Sequence, residues 1–183
     1  MSIGGGSIEA GGLRVVLRPA VEADYEELVR VYASTRAAEL AQVTWWDDDQ
    51  KLAFCRAQYG AQKEEYDARF PDAEYDVIEL EGRTVGRVWV GRAEEEIRLL
   101  DIALLPEAQR RGLGAAIVGA LIEEARASNK RLRHMVFMLN TEARRFYERL
   151  DFRVFEDLGG YLHMEWAPDG NEGVNREPST VTS

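Results

Sequence analysis

Residues 106–116 read Pro-Glu-Ala-Gln-Arg-Arg-Gly-Leu-Gly-Ala-Ala and join a strand-like segment to a helix-like one. Pro106 interrupts the strand pattern that runs from Glu96 to Leu105, and an apolar stripe with helical spacing begins at Leu113. The first turn of a helix exposes unpaired backbone N–H groups at its positive dipole end, and glycine lets a ligand approach the backbone closely. The stretch therefore predicts an anion-binding turn between a strand and a helix.

The paired arginines of this turn, Arg110 and Arg111, strengthen the prediction. The chain has 23 lysines and arginines against 33 aspartates and glutamates, giving a net charge of -10, so the arginines reverse the local charge. A dinucleotide fingerprint would need a third glycine at Ile117, and the Gly-x-x-x-x-Gly-Lys-Ser/Thr phosphate loop does not occur. A glycine turn with solvated arginines is the alternative that stays open.

Outward from this turn, short strand patterns alternate with longer helical patterns in the order βααβββαβαββ. The predicted strands are 13–18, 75–80, 84–92, 96–105, 133–139, 152–157 and 161–166, and the predicted helices are 20–40, 47–70, 112–129 and 141–150. The predicted helix 112–129 carries Leu113, Ile117, Leu121 and Ala125 on one stripe. The order predicts an α/β (α+β) fold whose central strands form an antiparallel meander.

Length and composition indicate a single folded domain over residues 13–166 of the 183-residue chain. Residues 1–12 are rich in glycine, and residues 167–183 combine proline and glycine with small polar residues. Such segments bury too little surface to order themselves. We therefore expect a flexible N-terminus and a disordered C-terminal tail.

The charge balance and the cysteine and histidine content exclude several functions. A net charge of -10 disfavours binding to nucleic acid and to anionic membrane surfaces. The single cysteine, Cys55, precludes an intramolecular disulfide, and His134 and His163 have no carboxylate or cysteine at metal-ligand spacing. Without a secretory signal or an apolar run of about 20 residues, we expect a cytoplasmic protein that holds no metal.

The turn at Gln109-Arg110-Arg111-Gly112-Leu113-Gly114 resembles the Gln/Arg-x-x-Gly-x-Gly/Ala signature of the GCN5-related N-acetyltransferase (GNAT) superfamily. A second segment is also similar, because Asn140, Ala143 and Tyr147 follow the Asn-x-x-Ala-x-x-x-Tyr arrangement of many members. Residues 146–152 resemble the family segment Phe-Tyr-Glu-Lys-x-Gly-Phe, with Asp151 where the glycine usually stands. Aspartate tolerates a left-handed turn better than most residues. The resemblance is clearest over residues 75–166.

The resemblance implies a GNAT-like mixed, mostly antiparallel twisted sheet of about seven strands flanked by four helices and splayed near the fourth strand. Acetyl-CoA would enter that splay as the cosubstrate. The pyrophosphate would lie on the glycine turn, and backbone groups at the end of the fourth strand would contact the pantetheine. The implied cofactor-binding residues are Leu104, Leu105, Gln109, Arg110, Arg111, Gly112, Leu113, Gly114, Ala115 and Asn140.

Two residues are candidates for the chemistry. Tyr147 matches the family position that faces the coenzyme A sulfur, and a phenol with a pKa of about 10 can protonate a thiolate. Asp101 lies in an apolar strand where alternation places it with Leu99 and Ala103, so it is a candidate base. The alternatives are a packed tyrosine, a structural ion pair of Asp101, and proton uptake by solvent. Asn140 has the alternative role of a helix N-cap.

The resemblance predicts an N-acetyltransferase that moves an acetyl group from acetyl-CoA directly to a primary amine of a small molecule, peptide or protein. A non-catalytic CoA-binding module on the same fold is the alternative, and the chain is expected to be a monomer or a homodimer. Aromatic and acidic residues fall where the family forms its acceptor pocket and would suit a cationic amine. These are Trp45, Trp46, Asp47, Asp48, Tyr59 and Tyr66, for which helix capping and core packing are the other interpretation.

Overall fold

The computed structural model describes residues 5–168, so residues 169–183 of the predicted tail lie outside the described residues. The strands are β1 (Ser7–Ala10), β2 (Leu13–Pro19), β3 (Glu74–Leu80), β4 (Arg83–Arg92), β5 (Glu96–Leu104), β6 (Arg131–Phe137), β7 (Arg153–Asp157) and β8 (Tyr161–Trp166). The helices are α1 (Tyr25–Thr35), α2 (Ala37–Gln42), α3 (Asp48–Arg69), α4 (Leu113–Ala127) and α5 (Thr141–Glu148). Short 3-10 turns precede α1 and α4.

The strands form one open sheet in the order β1-β2-β3-β4-β5-β6-β8-β7. All neighbouring strands are antiparallel except β5 and β6, which are parallel because α4 carries the chain across the sheet between them. The predicted fold class is confirmed, with eight strands and five helices within residues 5–168 where seven and four were expected.

The two additional elements have local causes. Ser7–Ala10, inside the segment expected to be flexible, pairs with β2 as a hairpin through two glycines with positive φ, Gly11 and Gly12. Glycine-rich composition therefore marked a turn here as well as a chain end. The predicted helix 20–40 is divided at Arg36, whose φ of -106° and ψ of 5° lie outside the helical range.

The sheet buries apolar side chains on both faces. On one face, the α4 stripe of Leu113, Ile117, Leu121 and Ala125 is fully buried, as its spacing predicted. On the other face, α1 and α3 cover a second cluster that contains Val77, Trp89 and Leu100. Coverage on both faces explains why consecutive residues are apolar and buried at Val88–Val90 of β4 and at Leu99 and Leu100 of β5.

Two irregularities in the middle of the sheet create the space for a site. One is a bulge in β5, and the other is the divergence of β5 from β6, which we call the fork. Between β4 and β5 the register shifts, because Trp89 pairs with Asp101 and Val90 with Leu99, which leaves Leu100 as the extra residue. Pairing of β5 with β6 ends at Leu99 and His134. Beyond that pair the two strands diverge, and the carboxyl-terminal half of β5 has no neighbour on its β6 side.

Candidate functional site

A cavity of about 340 Å³ occupies the fork between β5 and β6. On the side of the sheet that carries α5, its wall consists of His134, Asn140, Ala143 and Tyr147, which we call the α5 wall. On the opposite side it consists of Gln62, Tyr66, Phe70, Arg98, Arg133 and His163, which we call the α3 wall. The cavity therefore passes through the sheet and is reached by residues from both faces.

The start of α4 has the features of an anion site. Gly112 is the N-cap residue with a φ of 83°, and Arg110 has a φ of 57°, so the turn adopts the left-handed region twice. No side chain caps the helix, and the N–H groups of its first turn have no protein acceptor within residues 5–168. Arg110 and Arg111 are exposed and form no ion pair among the described residues.

The residues predicted to bind the cofactor next to the start of α4 differ in whether they are already engaged within the protein. Gln109 donates from Nε2 to the Leu104 carbonyl at 2.8 Å, and the Leu105 N–H donates to the Val85 carbonyl at 2.8 Å. These groups fix the turn to the end of β5. Leu113 is buried in the core with 1% exposure, whereas Ala115 is exposed on the first turn. Of the predicted contacts, Arg110, Arg111 and the first-turn N–H groups are the ones left free.

Gly114 brings the start of α4 against the rest of the site. A Cβ at Gly114 would lie 3.7 Å from the ring of Phe146 and 3.9 Å from Leu104. The first turn of α4, the end of β5 and α5 therefore meet at this residue. The two sequence segments that resembled the family, which are 25 or more residues apart in the chain, lie side by side in the fold.

Tyr147 is 2% exposed and lines the cavity. Its ring packs against His134, Phe146 and Phe152 at centroid distances of 4.6, 5.0 and 5.3 Å. No hydrogen bond joins its hydroxyl to another residue of the described chain. Burial, assisted by the charge of Asp101, raises the pKa of the Tyr147 phenol far above its ordinary value of 10. The phenol is therefore protonated at neutral pH.

Asn140 is a helix N-cap, which is one of the two roles that the sequence allowed. Its Oδ1 accepts a hydrogen bond from the Ala143 N–H at 3.0 Å, which makes it the N-cap of α5, and the residue also lines the cavity. At the other end of this helix, Asp151 has a φ of 64°, so the left-handed turn expected there is present.

Asp101 forms the ion pair that was the alternative to a free base. Its Oδ2 accepts from Arg87 Nε at 2.6 Å, and Arg87 also donates to Gln62 at 3.1 Å. The expectation that Leu99 and Asp101 share a face is wrong, because the extra residue Leu100 reverses the alternation. Leu99 packs on the α4 face, whereas Asp101 turns toward Arg87 and the α3 face.

Arg87 is a residue of the site that the sequence interpretation missed. It is 2% exposed, and its guanidinium lies 4.7 Å from the ring centroid of Trp89 and 5.1 Å from that of Tyr59. An arginine at an inward position of the apolar run Val85–Gly91 was the available signal, since such a residue needs a buried carboxylate partner. Asp101 on the next strand supplies it.

The six residues suggested for an acceptor pocket do not gather at the cavity. Trp45 is 75% exposed, Asp47 is the N-cap of α3 in a capping box with Gln50, and Tyr59 is buried in the α3-side core. Among the six, only Tyr66 lines the cavity. Helix capping and packing, the other interpretation of this cluster, therefore account for most of it.

Arginines on the α3 wall are instead held by carboxylates. Arg98 lies 2.9 Å from Glu96, and Arg133 lies 2.7 Å from both Glu96 and Glu165.

Within residues 5–168 no group of three metal-binding side chains is present. None of the helices in the same range combines the length and apolar character of a bilayer span.

The sequence profile described as the Acetyltransferase (GNAT) family matches residues 24–152. The chain belongs to this family. The match covers all elements from α1 through α5, and so includes both the α4 turn and Tyr147.

Individual relatives agree with this assignment. A protein described as an uncharacterized N-acetyltransferase of Methanocaldococcus jannaschii is 32% identical over 96 residues, or 48% of this chain, and the match spans only 42% of that relative. The PaiA N-acetyltransferase of Thermoplasma acidophilum, solved in complex with coenzyme A, has a TM-score of 0.62 at 18% identity and covers 84% of this chain and 98% of its own. An acetyltransferase of Thermus thermophilus gives a TM-score of 0.61 at 20% identity, over 84% of this chain and 96% of its own. The GNAT fold of this chain is thus shared with solved acetyltransferases.

Proposed function

We propose that the protein is an N-acetyltransferase that moves the acetyl group of acetyl-CoA directly to a primary amine of a small molecule, peptide or protein. The observation that carries the proposal is Tyr147, a protonated phenol without a protein partner in the wall of a cavity. The helix α5 that bears it packs against the start of α4 through Phe146. A purely structural tyrosine buried to this degree normally satisfies its hydroxyl within the protein. A ligand that enters the fork would supply the partner.

We propose that acetyl-CoA binds in an extended form, from the start of α4 to the fork between β5 and β6. The pyrophosphate would accept hydrogen bonds from the first-turn N–H groups of α4, at Leu113, Gly114 and Ala115, with Arg110 and Arg111 adding charge-assisted contacts. The pantetheine would continue past Leu104 along the edge of β5 that β6 leaves unpaired. Asn140, at the start of α5, would border this arm through its side-chain amide. Gln109 supports the arrangement by holding the Leu104 carbonyl.

The chemistry then requires one proton to leave the amine and one to reach the sulfur. The amine nitrogen attacks the thioester carbonyl carbon, the C–N bond forms, the C–S bond breaks, and Tyr147 donates its proton to the departing thiolate. Asp101 is given a supporting role in this scheme, because a proton on its carboxylate would dissolve the ion pair with the buried Arg87.

Thiol release from acetyl-CoA against a panel of amines tests the proposal. The panel should contain polyamines, amino acids, aminoglycosides and lysine-containing peptides, with buffer alone as the control. We expect amine-dependent release of coenzyme A and mass-spectrometric detection of an acetylated amine. Tight acetyl-CoA binding without release on any amine would favour the non-catalytic CoA-binding module.

A further inference from the structure

His134 occupies the point at which the fork opens. It belongs to the last pair of the β5–β6 ladder, opposite Leu99, and it lines the cavity. Its Nδ1 lies 2.7 Å from the Leu99 carbonyl oxygen. Because a carbonyl oxygen can only accept, Nδ1 carries the hydrogen, and the neutral ring keeps its lone pair on Nε2. No described residue hydrogen-bonds to Nε2.

The groups around His134 place it beside the candidate acid. Its ring lies 4.6 Å from the ring of Tyr147 on α5, with a 41° angle between the planes. The charged group that acts on it from β5 is Asp101, itself held by Arg87. On β8 it pairs with Met164, which is uncharged, and His163 projects to the other face.

We propose that His134 is the general base of the reaction, accepting on Nε2 the proton that the attacking amine loses as its C–N bond forms. This inference rests on the proposed function. In the same turnover Tyr147 gives its proton to the thiolate as the C–S bond breaks, so one imidazolium and one phenolate are formed. Return of the proton from His134 to Tyr147, whose rings are in contact, restores both groups and balances the cycle.

The electrostatics agree with the geometry. Burial lowers the pKa of the His134 imidazole below its ordinary value, and the bond to Leu99 and the charge of Asp101 only partly oppose this. A base must be unprotonated to act, so activity should fall as the pH drops through the lowered pKa. With the pKa below about 6.5, His134 is available as a base across the neutral range.

The test compares His134→Asn with His163→Asn. Asparagine at 134 retains a donor for the Leu99 carbonyl but has no basic nitrogen, so the fork keeps its anchor. His163 is the matched control, since its Nδ1 is also engaged, at 3.1 Å from Glu156, and it lines the α3 wall. We expect H134N to lose kcat by about 10²-fold or more, to keep the acetyl-CoA KM and the thermal shift with acetyl-CoA, and to lose the acidic limb of the pH profile.

The control should retain the acidic limb even if its amine KM changes. An H134N variant within threefold of the wild-type kcat, or one with an unchanged acidic limb, would overturn the role of His134 while leaving the acetyltransferase proposal in place. Loss of the acetyl-CoA thermal shift in H134N would assign the residue a structural role and overturn it too. The wild type alone supplies a further test, because a kcat at saturating amine that does not decline at acidic pH while the protein stays folded would also contradict the proposal. Wild-type protein that binds acetyl-CoA but releases no thiol would overturn the proposed function itself.

Discussion

The two walls of the cavity differ in how far their polar groups are satisfied within the protein. On the α5 wall and at the neighbouring start of α4, the Tyr147 hydroxyl, His134 Nε2 and the first-turn N–H groups have no partner among residues 5–168. On the α3 wall, Arg98 and Arg133 are each engaged by a carboxylate, as Arg87 is beneath it. The α5 wall therefore has polar groups available to a ligand. The charged groups of the α3 wall are already paired, and its one buried atom without a partner among residues 5–168 is His163 Nε2.

This contrast separates residues that act on a ligand from residues that hold the site. Buried ion pairs contribute little net stability, but they cost several kcal/mol when one partner is removed. Unpaired donors near a cavity are costly unless a ligand or water satisfies them. Substitutions on the α5 wall should therefore alter the kinetics and leave the stability nearly unchanged. Substitutions of the ion pairs should alter the stability first.

The largest kinetic effect is expected for Tyr147→Phe. Removal of the hydroxyl takes away the proposed acid and leaves the ring packing intact, so kcat should fall by about 10²- to 10⁴-fold with little change in the acetyl-CoA KM. Tyr25→Phe, at the start of α1 and outside the cavity lining, is the control and should match the wild type. Equal thiol release rates in Y147F and Y25F would remove Tyr147 from the mechanism.

A large stability effect is expected at the Arg87–Asp101 pair, and it should be asymmetric. Asp101→Ala leaves the 2% exposed Arg87 without its carboxylate, and the free energy of unfolding should fall by roughly 3 kcal/mol. Arg87→Met leaves Asp101, which is 23% exposed and reaches water, so the loss should be about half as large. Urea unfolding measures both. A D101A protein of wild-type stability with kcat lowered by 10³-fold would instead identify Asp101 as the base.

A smaller effect is expected at the exposed arginines of the α4 turn. Charge-assisted contacts to phosphate contribute about 1.5–3 kcal/mol each when formed. Arg110→Ala with Arg111→Ala should raise the acetyl-CoA KM by roughly tenfold or more, leaving kcat and stability nearly unchanged. Replacing the ion-paired Arg30 and Arg36 of α1 and its C-cap by alanine gives a control with the same loss of charge. An equal KM in the two double variants would show that the turn does not bind the pyrophosphate.

The smallest effect is expected at Gly112. A Cβ there meets no atom within 4 Å, so only the backbone cost of a φ of 83° remains. That cost is roughly 1–2 kcal/mol for a residue other than glycine. Gly112→Ala should lower the melting temperature by a few degrees and weaken acetyl-CoA binding to a similar small degree, as measured by thermal unfolding and titration calorimetry. A loss of binding comparable to that of the arginine variant would indicate that the cofactor contacts Gly112 more closely than proposed.

The sequence predicted the α5 wall and the α4 turn better than it predicted the α3 wall, for a physical reason. Residues 109–115 and 140–147 are two short segments whose spacing already expresses a helix start and a helix face, so local patterns sufficed. The α3 wall combines α3, β5, β6 and β8, and its composition depends on how these elements pack. The bulge at Leu100 is an example, since one extra residue moved Asp101 to the other face. The strand at Ser7–Ala10 was missed because glycines at a hairpin look like a flexible end.

Thermal unfolding of the wild-type protein with increasing acetyl-CoA tests the central claim most directly, namely that the fork and the α4 turn form the acetyl-CoA site. A ligand that binds only the folded state at 100 times its Kd adds about 2.7 kcal/mol to the free energy of unfolding. For a chain of this size each kcal/mol raises the melting temperature by about 2–4 °C. We predict a saturable increase of several degrees that shrinks in the Arg110→Ala, Arg111→Ala double variant. A melting temperature unchanged at millimolar acetyl-CoA would contradict the account.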